Sequence, residues 1–578
     1  MKKNILSLIL IFCALILTGC ECSYRGKRPE DEILNSTNKT LLLLDYKNNY
    51  IELLDCAATK LTEDTVIRKL VGTEIKTASY GDLYIGMNNL YVRTNNDVVE
   101  EILIDNEAVF NRMRVAIRKT ISNISDSSTL YHDSVTINVA SSTKIRTFDG
   151  KEVWDVPENT SLDFTVSDNK ITFNISGKKI TSSKRVIIED NEEQMKISSI
   201  SRNSKLLYEG NLEISLKNGR LLIINDLLMD DYLKKVVPSE MVASWHIEAL
   251  KTQAVAARTF AYKEIYNKSY RTLGYIVDDS ESSQVYNNYN ATDATDRAVD
   301  ETKGITMFYN GSPINAYFYS NNGGLQSKGN EVWIVNGVGS DIPYLQGGNE
   351  TNQIVDTSSE TSMLNFFKKL NMEASSGESL DFRWLITMNK SQLRQTLNTN
   401  LPLMAPSNKK SYPILENGNW VTNKSFPSDI GEISNIFVSE RGTSGVIISL
   451  QIEAANVTFR IYNQYNIRFT IRPDDCGSDV TLYRAKANSA TYTSTTKNPS
   501  TLKSGFFALE WNGDNLSFYG GGWGHGVGMS QYGAKYYAEQ GKKYQEILNI
   551  YYQNINLVDT SSEYIPLKDY EKYFITNK

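Results

Sequence analysis

Between Met113 and Asn225 the chain alternates short apolar runs with turn-forming residues, and that rhythm limits what the sequence can fold into. Arg114–Ile117, Val135–Val139, Leu162–Val166, Lys170–Ile175, Val186–Ile188 and Leu221–Ile224 have strand length and strand patterning. Asp149-Gly150, Ser167-Asp168-Asn169 and Asn218-Gly219 separate several of them with residues that turn a backbone cheaply. A less regular alternation runs from Leu41 to about Glu107, for example at Asp82–Met87 and Leu90–Arg93, and another occupies 432–472. Helical spacing comes in blocks. Leu250, Ala254, Ala257 and Ala261 recur through Ile265 behind Ser244 as a candidate N-cap. Two short helical patterns lie among the loops of 350–375 and 390–430. Gln531–Gln540 and Tyr544–Tyr552 form a closing pair punctuated by Gly541. Residues 275–345 read as strands and Gly-rich turns, and 488–500 as a low-complexity surface loop. The expected class is α+β, with β-rich N-terminal regions and a large mixed domain carrying a few helices.

The N-terminus predicts export. Lys2 and Lys3 precede an apolar run from Ile5 to Leu17, then Thr18-Gly19-Cys20; this is the layout of a signal peptide and is short for a membrane span, which needs about 20 residues. The Leu17-Thr18-Gly19-Cys20 segment resembles a bacterial lipobox. That resemblance implies cleavage after residue 19 and a lipidated Cys20, so acyl chains would hold the protein at the membrane of the cell envelope. Residues 20–40 then form a polar tether and 41–111 an accessory β-rich region; 112–557 is the main domain and 558–578 a tail. Net charge is −6 with a pI of about 5.5 and no long basic block, which excludes a protein that lives by neutralising nucleic-acid phosphates. With three histidines and five cysteines, a multi-ligand zinc enzyme is not expected. Whether Cys56 and Cys476 pair is left open by the sequence.

Two segments concentrate chemistry. In Val237-Pro238-Ser239-Glu240-Met241, Glu240 falls in a short connection before the helix, with Val237, Met241 and Trp245 nearby. A poorly solvated carboxyl keeps its proton nearer neutrality and can act as a general acid. Residues 520–528 contain six glycines, with Trp523 and His525 between them. Such a loop allows close approach to a ligand or to another chain segment, and a tight structural turn before the Gln531 helix is the plainer alternative. Trp523 offers a flat aromatic face, and His525 a hydrogen bond or a proton. Between these segments lie Asp278–Tyr286 and Ala316–Gly324, polar and Gly-Gly stretches suited to a polyol-binding groove. No H-E-x-x-H, G-x-S-x-G or P-loop pattern occurs.

Val237–Met241, Glu248–Thr259 and Gly522–Gly533, with Gln284-Val285-Tyr286, Gly323-Gly324, Val332-Trp333 and Tyr544–Tyr552 in order, resemble the stage II sporulation protein D family (SpoIID/LytB type) over roughly 112–557. The resemblance implies a peptidoglycan lytic transglycosylase in which Glu240 protonates the bond between N-acetylmuramic acid and N-acetylglucosamine. The muramic 6-hydroxyl then closes a 1,6-anhydro ring, so one carboxyl suffices where most glycosidases use two. It also implies an alternative, a non-catalytic glycan-binding lipoprotein that activates an amidase or a division or sporulation partner. By the same resemblance Gln253, Arg258, Gln284, Tyr286, Ser320, Gly323, Gly324, Trp523 and His525 would bind substrate or support the groove, Arg258 being equally suited to a buried ion pair. Some members bind zinc through Cys and His where this chain has Ser282, Ser283, Tyr319 and Asn322, so no metal and no cofactor is expected. Val242 and His246 stand where the family usually has Pro.

Overall fold

A computed structural model describes residues 39–105, 111–120, 127–189, 195–200, 207–288, 292–335 and 338–561. The expected signal peptide, Cys20, most of the expected tether and residues 562–578 lie outside them. The described chain is 37% strand and 23% helix, and the strands gather into sheets with the helices grouped beside them, an α+β fold.

The alternating region forms two facing sheets. One is seven-stranded, in the order Val153–Val156, Thr143–Thr147, Val186–Ile188, Asn211–Lys217, Arg220–Leu228, Arg112–Ala116 and Val277–Asp278. The other is five-stranded, built from Lys178–Ser182, Lys170–Ile175, Thr160–Ser167, Ser134–Val139 and Met195–Ile197. The hairpin turns are where the sequence places them. Asp168 and Asn169 have φ of 51° and 55°, and Asn218 and Gly219 of 52° and 73°, the paired positive φ that matches strand twist. Leu41–Asp45 and Tyr50–Leu53 form a hairpin and Val66–Ile104 contributes a four-stranded sheet. Their apolar residues join the same hydrophobic core as the two facing sheets. A buried ion chain stitches this junction: Glu52 to Arg185, Arg185 to Glu213, Glu213 to Arg114 and Arg114 to Asp226, at 2.6–3.0 Å.

Strand Arg220–Leu228 runs directly into helix α1, Met229–Glu240, whose first turn carries Asp230 and Asp231 against the positive end of the helix dipole. Helix α2, Ile247–Asn267, follows. Its buried Ala249, Ala254, Ala256, Ala257 and Ala261 keep the helix slim, and α1, the Asp293–Asp300 helix and both closing helices pack on it. A second core, from Trp384 to Phe518, is separate from the first. It holds two five-stranded sheets and the helices Lys390–Met404 and Gln464–Thr470. Its entering strand Arg383–Asn389 pairs with its leaving strand Asn515–Gly520, Trp384 opposite Gly520. The second core therefore enters and leaves beside the glycine-rich loop.

Several expectations need correction. Glu240 is the last residue of α1, not part of a connection. Pro238 sits in that last turn, where its missing N–H forfeits one bond, while Ser239 Oγ donates to Lys235 O at 2.7 Å and Met241 N–H to Val237 O at 2.9 Å. The N-cap of α2 is His246, whose Nδ1 accepts the Glu248 N–H, rather than Ser244. The stretch 275–345 contains a capped helix, Asp293–Asp300, and the low-complexity segment contributes an edge strand, Ser494–Lys497. Asp82–Met87 forms no strand. Cys56 and Cys476 are free thiols buried in different cores.

Candidate functional site

Glu240 closes α1 with its carboxyl held at both oxygens. Oε1 accepts the Val285 N–H at 2.8 Å and Oε2 accepts Gln531 Nε2 at 3.2 Å. Dense surroundings desolvate the group and raise its pKa from 4.5 to about 7, with Glu281 adding a smaller push and the two hydrogen bonds pulling back. The residue is nevertheless only half-buried, so the carboxyl is crowded yet reachable. Trp245 meets Tyr532 edge-on at 4.9 Å, and the Tyr532 N–H donates to Ser320 O at 3.1 Å. A protonatable carboxyl in this setting can hold a proton near neutrality and deliver it to a solvent-side acceptor.

The glycine-rich loop approaches another chain segment. Asn321 and Trp523 exchange backbone bonds, Asn321 N–H to Trp523 O at 3.2 Å and Trp523 N–H to Asn321 O at 2.9 Å. Gly323, at φ 59°, has the Gly521–Gly522 backbone where a Cβ would stand. The two glycine clusters, far apart in sequence, are thus the crossing point of two backbones. Arg383 fixes that crossing by donating from Nη1 to Gly323 O at 2.7 Å. Beyond it Met529–Ser530 pairs in parallel with Phe318–Tyr319 and Ser530 caps the helix Gln531–Glu539, which delivers Gln531 to Glu240.

His525 donates from Nε2 to Phe318 O at 2.9 Å and accepts the Val527 N–H at Nδ1, 3.1 Å. Its ring packs against Tyr319 and Trp333, and burial lowers its pKa to about 4. Of the two expectations for this residue, a hydrogen bond or a proton, the neutral and doubly bonded ring fits the first. Trp523 is 44% exposed, with Lys503 Nζ 3.9 Å from its ring centroid.

The other expected site residues divide between surface and support. Ser320 and Gly323-Gly324 line the crossing beside Tyr532 and Gly522. Gln253 is buried, its Oε1 3.4 Å from Gln531 Nε2 and its own Nε2 without a partner. Gln284 is buried and donates to Tyr232 OH at 3.0 Å and Ala257 O at 3.2 Å. Tyr286 is fully buried, stacked on Tyr232 and donating to Asn225 Oδ1 at 2.7 Å. Arg258 is 2% exposed and bonds Thr302 O, Val299 O and Asp230. A substrate-contacting role for Arg258, Gln284 and Tyr286 is therefore set aside: they brace α1, α2 and the Asp293–Asp300 helix from beneath.

Sequence reasoning missed four participants. Gln531 and the Val285 N–H hold the carboxyl, and Lys503 reaches Trp523 from the second core. Glu350, beside the Gly323-Gly324 turn, is a second carboxyl raised by burial to about 7, bonded to Ser375, to Asn322 Nδ2 at 2.6 Å and to Tyr551 OH at 3.3 Å. Gln531 lies inside the Gly522–Gly533 segment; a backbone N–H and a long-range neighbour leave no mark in sequence. Of the four positions compared with zinc ligands, Ser282 donates to Asp278 and Asn322 to Glu350. Among the described residues no group of three or more His, Cys, Asp or Glu converges in a metal-binding arrangement, and no helix is long and apolar enough to cross a membrane.

Fold and site together define an α+β protein with a protonatable carboxyl, Glu240, held by amide donors at a helix end, and a second, Glu350, beside the crossing of two glycine-rich segments. Residues 217–309 match the family model described as SpoIID, Stage II sporulation protein. The chain is 30% identical over 339 residues to the Amidase enhancer of Bacillus subtilis (strain 168), covering 56% of this chain and 40% of that protein. It is 24% identical over 391 residues to Stage II sporulation protein D of the same organism, covering 65% of this chain and 87% of that protein. An uncharacterized protein of Brachyspira hyodysenteriae is 26% identical over 355 residues, covering 61% of this chain and 72% of that protein. The match to the SpoIID family model falls on the segment that carries α1, α2 and Glu240, and the chain spans less than half the length of the Amidase enhancer it resembles.

Proposed function

We propose that this protein acts on the bacterial cell wall as a peptidoglycan lytic transglycosylase, exported and held at the envelope by a lipidated Cys20. The observation that carries the reading is Glu240: a crowded, reachable carboxyl with a pKa of about 7. In the proposed reaction Glu240 gives its proton to the oxygen linking N-acetylmuramic acid to N-acetylglucosamine. The C1–O bond breaks, the muramic 6-hydroxyl oxygen bonds to C1, and the hydroxyl proton returns to the Glu240 carboxylate. The product is a 1,6-anhydro end plus a free N-acetylglucosamine 4-hydroxyl, with no water consumed. Gln531 and Val285 N–H orient the carboxyl and stabilise it in its charged interval.

The similarity to a protein named Amidase enhancer supports a second reading, in which the chain binds glycan and stimulates an amidase without cutting the strand. Replacing Glu240 by Gln separates the two. The variant loses anhydro products under the first reading, and keeps glycan binding and amidase stimulation unchanged under the second.

A further inference from the structure

Two cations, Lys503 and Arg484, flank one buried carboxylate, Asp381, at the glycine-rich loop, and a third, Arg468, lies near Lys503. Lys503 Nζ stands 3.9 Å from the Trp523 ring centroid and 3.7 Å from Asp381 Oδ1, beyond hydrogen-bond length. Arg484 Nη1 is 3.7 Å from Asp381 Oδ2, and its buried Nε has no partner. Arg468 gives its hydrogen bonds to the neutral acceptors Leu502 O and Gln464 Oε1; its charge is felt by His525, and it in turn feels the charge of Glu281. Glu281 in turn acts on Glu240, which ties this cationic cluster to the candidate acid. Asp381 is 4% exposed and its Oδ1 accepts no hydrogen bond. The backbone locks the cluster to the loop: Gly522 N–H donates to Asp381 O at 2.9 Å and Gly524 N–H to Lys503 O at 3.1 Å.

Lys503 and Arg484 share one carboxylate, Asp381, while Arg468 and Glu281 add one charge of each sign nearby, so the cluster keeps positive charge that a further anion would offset. The exposed aromatic face beside them sets its chemistry. A sugar ring can stack on Trp523 while a carboxylate on that sugar reaches the Lys503 ammonium. A dianionic phosphate would meet Asp381 at the same point, so a monoanion fits better. Resting on the glycan-cleaving reading above, we propose that Trp523 and Lys503, backed by Arg484 and Arg468, form a subsite for a carboxylate-bearing sugar of the glycan strand. Two sources share that chemistry, the lactyl carboxylate of a muramic residue without its peptide and the carboxylates of an attached stem peptide.

The test is titration calorimetry on the chain from Ser23 onward, which keeps every described residue, with Glu240→Gln to prevent turnover. Three probes are compared: chitotetraose, a peptide-free muramic acid–glucosamine tetrasaccharide, and the same tetrasaccharide carrying stem peptides. A carboxylate-bearing probe is expected to bind about tenfold tighter than chitotetraose at low salt. Lys503→Gln should erase that gap while leaving chitotetraose unchanged, and Lys503→Arg should keep most of it. If Lys503→Gln does not fold, salt titration of the Lys503 protein reads the same term: about 0.5 M salt should close the gap. A preference for the peptide-free probe alone identifies the lactyl group, and for the peptide-bearing probe alone the stem peptide. Equal binding of charged and neutral glycans, or equal loss of both in Lys503→Gln, overturns the subsite while leaving glycan binding standing. Failure of all three probes to bind overturns the subsite and the glycan-cleaving reading together.

Discussion

Replacing Glu240 by Gln should stabilise the protein at high pH and leave its stability almost unchanged at low pH. Raising a carboxyl from 4.5 to about 7 disfavours its charged form in the fold by about 3 kcal/mol, and the half-buried position trims this to about 2–3 kcal/mol. The sign follows from proton uptake. Below pH 4.5 both folded and unfolded carboxyls are protonated. As pH climbs, the unfolded carboxyl ionises first while the folded one keeps its proton, so the wild type loses stability until about pH 7 and no more above it. The variant escapes that loss. Its amide is accommodated because Gln531 can turn its own amide to offer Oε1, and Gln253, whose Nε2 has no partner, can turn to donate to the same oxygen. His525 and Glu350 titrate alike in both proteins and cancel in the difference. Urea unfolding at pH 5, 6, 7 and 8, read on the transition that melts α1 and α2, should show the variant gaining progressively on the wild type. A difference that stays flat with pH, or one that favours the wild type at pH 8, would refute the desolvation argument.

The same geometry yields three further outcomes. Gly323→Ala places a methyl inside the Gly521–Gly522 backbone at positive φ, and calorimetric unfolding should show a loss of at least about 3 kcal/mol. His525→Ala removes both backbone bonds of the ring and costs about 2–3 kcal/mol at pH 7. That penalty shrinks as pH falls from 6.5 toward 4, because there the unfolded histidine gains a proton and the desolvated one in the folded wild type does not; chemical unfolding at pH 7 and pH 5 checks this. Gln531→Ala takes away a bond that favours the charged form of Glu240, so the alkaline limb of the pH–activity profile should move upward while kcat falls.

Much of the fold is written in local pattern. Strands Lys170–Ile175 and Val186–Ile188 end where their apolar runs end, and the Asp168-Asn169 and Asn218-Gly219 turns follow from residues that accept positive φ. Helix α1 was hidden because Val236-Val237-Pro238 reads as a helix breaker, yet a proline in the last turn costs only one bond. The second core escaped notice because its strands alternate just as those of the first do, and periodicity does not say which core a strand joins. Glu240 was legible through its apolar neighbours in the chain. Its restraint by Gln531, the crowding of Glu350 and the approach of Lys503 to Trp523 arise from contacts between distant segments, and no local signal carries them.

In the proposed reaction Glu240 donates the proton that cuts the glycan strand. Mass spectrometry of purified glycan strands, incubated with the chain from Ser23 onward and with its Glu240→Gln variant, tests it most directly. Proton donation by Glu240 requires 1,6-anhydromuramic ends from the former and a loss of about 10²- to 10⁴-fold in the latter, the usual contribution of a general acid. Anhydro ends released at the same rate by both proteins, or by neither, would contradict it.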